Sequence, residues 1–224
     1  MIKFNSIIRS IFIVSFVVFA ASCTDPNEGV LNSIDHQTSL DAENLVAEKR
    51  ANAANTKMYT ADLAMLNESG VSGTAEITLT RNEITVKIQA TGLEPNKLHP
   101  QHIHGFIENR RNATCPPPSA DTNGDGIIDL VEGLPFYGPI IQDLYVPIDT
   151  YPMAVDGDID YERTKTLGET EFVEEGQVAT YSELRPLQNR TIVLHGMTVD
   201  GEYVATLPVA CGQITVNQGN NNKN

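Results

Sequence analysis

Tryptophan is absent from this 224-residue chain, aromatic residues make up only 6%, and there are three cysteines. So few large rings leave the core to β-branched aliphatics. No 20-to-50-residue repeat is visible, which excludes a solenoid. Positive charge is short as well: 15 Lys and Arg against 29 Asp and Glu give a formal net charge of −14. That balance argues against nucleic acid or anionic lipid as a partner. The longest apolar run, Ile11 to Ala21, is too short to span a bilayer comfortably. With Lys3 and Arg9 before it and small residues ahead of Cys23, it has the layout of an export signal.

What is present divides the chain into one sizeable domain with flanking tails. Ala20-Ala21-Ser22-Cys23 resembles a bacterial lipobox, so residues 1–22 read as a lipoprotein signal peptide. Cys23 is then the lipidation site, with an ordinary secretory signal as the alternative. Residues 1–22 hold two of the basic residues and no acidic ones, so the remainder carries −16. Asp25 and Glu28 resemble the acidic export tags of some surface-exposed bacterial lipoproteins. The expected location is therefore the outer membrane or cell surface of a bacterium, held by the lipid anchor. If Cys23 is acylated, Cys115 and Cys211 remain as an even pair in an oxidising compartment. A disulfide is the natural reading, two buried free thiols the alternative.

Residues 23–56 are polar and read as a tether, with a helix expected over Ser39 to Arg50; His36 there is expected to be solvated. From Lys57 the period changes to two. Met58–Leu66, Gly73–Thr80 and Glu83–Ala90 are expected strands, with a tight turn at Arg81-Asn82. In the third, Ile84, Val86 and Ile88 face one way while Thr85, Lys87 and Gln89 face the other, as a half-wet antiparallel sheet requires. Phe136–Val146, Thr191–Gly196 and Glu202–Val216 also read as strands. Residues 217–224 are an asparagine-rich tail, expected to be disordered.

Site chemistry concentrates between Leu98 and Glu132. Residues 121–132 match the twelve-residue calcium loop at every ligand position. Asp121, Asn123, Asp125 and Asp129 supply side chains, Ile127 its carbonyl, and Glu132 both carboxylate oxygens; Gly126 makes the turn. Pro116-Pro117-Pro118 forbids a helix leading into it, so the loop reads as a lone structural clamp, not half of a paired sensor. Asp156-Gly-Asp158-Ile-Asp160 is a poorer candidate, because Tyr161 stands where glycine is needed; it reads as a solvated acidic loop within residues 147–175.

His102 and His104 alternate on an extended segment about 6.6 Å apart at the backbone, close enough to share one ion. Ile103 between them points into the core. His195, at the end of an apolar strand, is the only distant histidine in the domain. Three imidazoles on rigid strands suit copper or zinc and leave a position open. His99 could join them only if the chain bends at Pro100.

The order Gln101-His102-Ile103-His104-Gly105-Phe106, Cys115, Arg190-Thr191-Ile192-Val193-Leu194-His195 and Ala210-Cys211-Gly212-Gln213-Ile214 resembles the landmarks of copper,zinc superoxide dismutases. The resemblance covers residues 57–216. It implies an all-β Greek-key barrel or sandwich with long loops, copper on His102, His104 and His195, and a Cys115–Cys211 disulfide. Chordin-like (CHRD) domains, with their H-I-H-G motif, are an equally close comparison for the first half. Two departures stand out. The family's bridging and zinc-binding histidines have no counterpart, since no histidine lies between His104 and His195. Pro208 also stands where the family places an arginine that attracts superoxide. Whether the chain is an enzyme is therefore left open by its residues. One reading is a lipid-tethered metal-binding domain with weak or no dismutase turnover; the others are an active copper-only dismutase, with His99 standing in for the bridging histidine, and a CHRD-like non-catalytic binding or adhesion module.

Overall fold

A computed structural model of the chain describes residues 55–108, 111–144, 151–167 and 178–217. The signal peptide, Cys23, His36 and the helix expected over Ser39–Arg50 lie outside the described residues. Among the described residues, nine strands carry the fold. They are β1 (Lys57–Met65), β2 (Ser72–Leu79), β3 (Glu83–Thr91), β4 (Gln101–His104), β5 (Ile140–Asp143), β6 (Ile159–Thr166), β7 (Thr191–Val199), β8 (Glu202–Gln213) and β9 (Thr215–Val216). Among the described residues two short α-helices, α1 (Leu130–Tyr137) and α2 (Tyr181–Leu184), interrupt them.

All ladders are antiparallel, and the strands follow the order β5-β4-β7-β8-β1-β2-β3-β6, with β9 on β1. The chain runs β1 to β3 as a meander and crosses to lay β4 beside the later β7. It then returns to set β6 against β3, a Greek-key order. Among the described residues, β5 and β6 form the two open ends of the sheet, so the barrel is not closed by a ninth ladder.

The period-two pattern builds the first half as expected. Ala75, Ile77 and Leu79 of β2 and Ile84, Val86, Ile88 and Ala90 of β3 are buried in the main core, where Ile103, Ile192, Leu194 and Val209 join them. Arg81-Asn82 makes the two-residue turn, closed by the Thr80 N–H donating to the Glu83 carbonyl at 2.9 Å.

Three expectations change. Phe136 and Tyr137 end a helix and do not begin a strand. Asp129 caps α1 by accepting from the Glu132 N–H, and the Glu132 side chain returns the bond, a capping box; strand structure resumes only at Ile140. Part of the expected acidic loop is the edge strand β6, entered by an Asp156-Gly157 turn. Both turn residues have positive φ (52° and 91°), as this type of hairpin turn demands, and Val155 and Asp158 bond each other's backbone. Asp160 accepts from the Gln89 amide across the sheet. Finally, Asn217, placed in the expected disordered tail, donates its N–H to the Met58 carbonyl at 2.9 Å.

Candidate metal centre

The four residues of β4 lie between β5 and β7 and are buried on both faces. Ile103 points into the main core. His102 sits opposite Val193 and so shares its face. Val193 packs in a separate cluster with Leu66, Tyr137, Cys211 and Cys115. Two layers thus meet at β4, and the histidines occupy the layer roofed by α1 and the Cys115–Cys211 disulfide, which is formed.

His195 reaches the same face from β7, its N–H donating to the Pro100 carbonyl just before β4. The ring centroids of His102, His104 and His195 are 5.4, 5.0 and 5.6 Å apart. One ligand atom from each lies within 4.8 Å of the others. Among the described residues this is the one set of three His, Cys, Asp or Glu side chains so arranged.

Hydrogen bonds identify which nitrogens face inward. His104 Nδ1 lies 2.9 Å from the Gly138 carbonyl and His195 Nδ1 2.8 Å from the Thr206 carbonyl. A carbonyl only accepts, so both Nδ1 atoms carry the proton and both Nε2 atoms keep a lone pair. His102 is turned the other way. Its Nε2 meets the Tyr151 hydroxyl oxygen at 2.9 Å and Asp143 Oδ1 at 3.1 Å. Tyr151 spends its only proton on Asp143 at 2.7 Å, so His102 Nε2 donates and Nδ1 is bare. His102 Nδ1, His104 Nε2 and His195 Nε2 are buried and have no hydrogen-bond partner.

Buried unsatisfied nitrogens are costly and rare, and three that converge need a common explanation. Burial above all, and then the neighbouring His102, pushes His104 down to about 3. Burial, followed by His102 and His104, holds His195 well below the ordinary histidine range. Neutral imidazoles with lone pairs inward are the form a metal ion takes up. The donor set fits copper or zinc.

Gly138, whose carbonyl orients His104, is the C-cap of α1 and donates its own N–H to the Leu134 carbonyl, and Tyr137 packs its ring edgewise on His104 at 4.8 Å. Gly138 has φ of 80°, and a Cβ there would come within 2.7 Å of the Gly105 carbonyl, so only glycine allows this approach. The sequence marked His102, His104 and His195 but passed over Asp143 and Tyr151. A carboxylate two residues after Ile141, and so on the same face of its strand, was the available signal.

His99 stands apart from the cluster. Its two ring nitrogens bond the His195 and Glu94 carbonyls at 3.0 and 2.9 Å, so neither is directed at the three bare nitrogens. Pro208 pairs directly with His195 and is buried, an uncharged neighbour where a cation would attract an anion.

The acidic loop is folded as a set of carboxylate-to-backbone turns. Asp121 accepts from the Gly124 and Gly126 N–H groups, Asn123 Oδ1 from Asp125, and Asp125 Oδ1 from Ile127. Glu132 Oε1 accepts from Thr122 and Asn123, and these bonds, the Thr122 hydroxyl first, hold its carboxyl below the ordinary range. No three of the loop's carboxylates meet the convergence found for the histidines. Asn67 ties the loop to the barrel through both backbone groups of Ile128 and through the Pro208 carbonyl.

No protein-family model and no curated protein matches the chain. Among solved structures, a point mutant of Candida albicans superoxide dismutase 5 aligns with 75% of this chain and 97% of its own, at 18% identity and a TM-score of 0.35. The Cu(II) form of the same protein aligns with 75% and 98%, at 14% identity and the same TM-score. A likeness at that score carries no argument about what this chain binds or does.

Proposed function

We propose that this is an exported, lipid-anchored metal-binding domain related to superoxide dismutases, holding copper or zinc on His102, His104 and His195, with weak or no dismutase turnover. The observation that carries the reading is the convergence of three buried, bare ring nitrogens. When bound, copper supplies one-electron redox chemistry at such a site, whereas zinc supplies only charge. His102 offers Nδ1, and His104 and His195 offer Nε2. The Gly138 and Thr206 carbonyls and the Asp143 carboxylate hold the opposite nitrogens protonated, which raises the basicity of each ligand. Tyr137 and the disulfide layer keep water from the His104 side.

Low turnover is favoured by charge. The chain carries −14 overall, and Pro208 offers no cation opposite His195, so an incoming anion meets net repulsion that this position does nothing to offset. The twelve-residue pattern at 121–132 supports calcium as a second, structural ion, and the Ala20–Cys23 motif supports the lipid anchor.

Purified protein titrated with Zn(II) and Cu(II) is expected to bind one equivalent of either, and the Cu(II) resonance spectrum should carry splitting from three nitrogens. His195→Ala should abolish stoichiometric binding. Wild-type protein that binds neither ion would overturn the assignment. Superoxide consumption by the copper-loaded protein, far above that of the metal-free protein, would replace weak turnover with the active copper-only dismutase.

A further inference from the structure

We propose that Tyr151 and Asp143 form a hydroxyl–carboxylate clamp that positions His102, making Tyr151 a determinant of metal affinity and of copper oxidation state. The inference rests on the three-histidine site being a metal centre.

The three ligands are not oriented alike. His104 and His195 are set by backbone carbonyls, fixtures of the fold that no side-chain substitution removes. His102 is set by side chains alone, Asp143 from β5 and Tyr151 from the approach to β6. The register places Asp143 directly opposite His102. Strand pairing therefore brings the carboxylate to the ring, and the tyrosine closes over both, its ring edgewise to the imidazole at 5.9 Å. All three side chains are buried.

The polarity of the clamp follows from proton counting. The phenol gives its proton to Asp143 Oδ1 and so can only accept from His102, while the carboxylate accepts from both. The Nε2 proton of His102 is shared between two oxygens, and neither arrangement is compatible with a proton on Nδ1 in the neutral ring. Among the described residues Asp143 is the only carboxylate in the buried set. It is thus the one negative charge built in behind the ligands, and through the ring it favours a dication, Cu(II) over Cu(I). The hydroxyl fixes which way that carboxylate faces, so Tyr151 acts on the metal through Asp143.

The test compares wild-type protein with Tyr151→Phe, Asp143→Asn and the double variant, reading the Zn(II) dissociation constant by chelator competition, the Cu(II)/Cu(I) potential, and the melting temperature of the metal-free protein. Asp143→Asn is expected to weaken Zn(II) binding about 10- to 100-fold and to raise the potential. Tyr151→Phe should shift both in the same direction by less, and the double variant should be no worse than Asp143→Asn, since one residue works through the other. Metal-free melting within a few degrees of wild type marks the effect as positioning. If Asp143→Asn does not fold, the affinity and potential of Tyr151→Phe decide. Wild-type affinity and potential in the folded variants would overturn the clamp, whereas wild-type protein that binds no ion would overturn the metal centre beneath it.

Discussion

His104 keeps a neutral ring because protonation would place a charge in a buried layer already holding two other imidazoles. Its unfolded counterpart titrates near 6.5. Between that value and about 3 the unfolded chain therefore binds a proton that the folded chain refuses, and stability falls as pH falls. For His104 alone the slope is up to about 1.4 kcal/mol per pH unit, and His195 adds in the same direction. The metal-free protein should melt at steadily lower temperature from pH 6.5 downward, with no such loss from these groups above pH 7. His104→Gln should flatten the decline. A wild-type melting curve insensitive to this interval would show that the rings are not held neutral. The three ligands were legible in the sequence because alternation on a strand and a lone histidine ending another are patterns. Asp143 and Tyr151 were not, because the groups that orient a ring from behind come from other strands and leave no spacing to read.

α1 is held from both ends: its N-terminus grows out of the acidic loop, and its C-terminal carbonyl orients His104. The disulfide pins the excursion that carries it, joining Cys115 to Cys211 across 96 positions. Closing a loop of about a hundred residues is worth about 4–5 kcal/mol in the chain-entropy account. Cys115→Ser with Cys211→Ser should lower the melting temperature by about 10 °C or more and weaken metal binding by loosening the roof over Val193 and Tyr137; unchanged melting would mean that packing alone holds the excursion. The meander β1 to β3 was readable from its alternation. β6 was hidden because, as an edge strand, it shows polar residues on both faces, Asp160, Glu162, Arg163 and Lys165 among them, a common protection against edge-to-edge pairing. α1 was hidden for a different reason: Asp129 and Glu132 serve equally as the last positions of a calcium loop and as a capping box.

Across the whole molecule, an excess of negative charge surrounds a centre whose inner faces are neutral. Calcium in the loop would neutralise part of that excess. A calcium titration should raise the melting temperature, and Glu132→Gln should abolish most of the rise; no shift in the wild type would remove calcium from the proposal. Because Asn67 links that loop to Pro208, beside His195, occupancy of one ion should be felt at the other. β4 brings two of the three ligands, yet both its partners in the sheet arrive from much later in the chain. Such distant pairings come late in folding because a long loop must close before they are rewarded. The metal pocket is therefore a product of near-complete collapse. A nascent polypeptide would present separate imidazoles, and an ion offered before folding would find no ready-made cage.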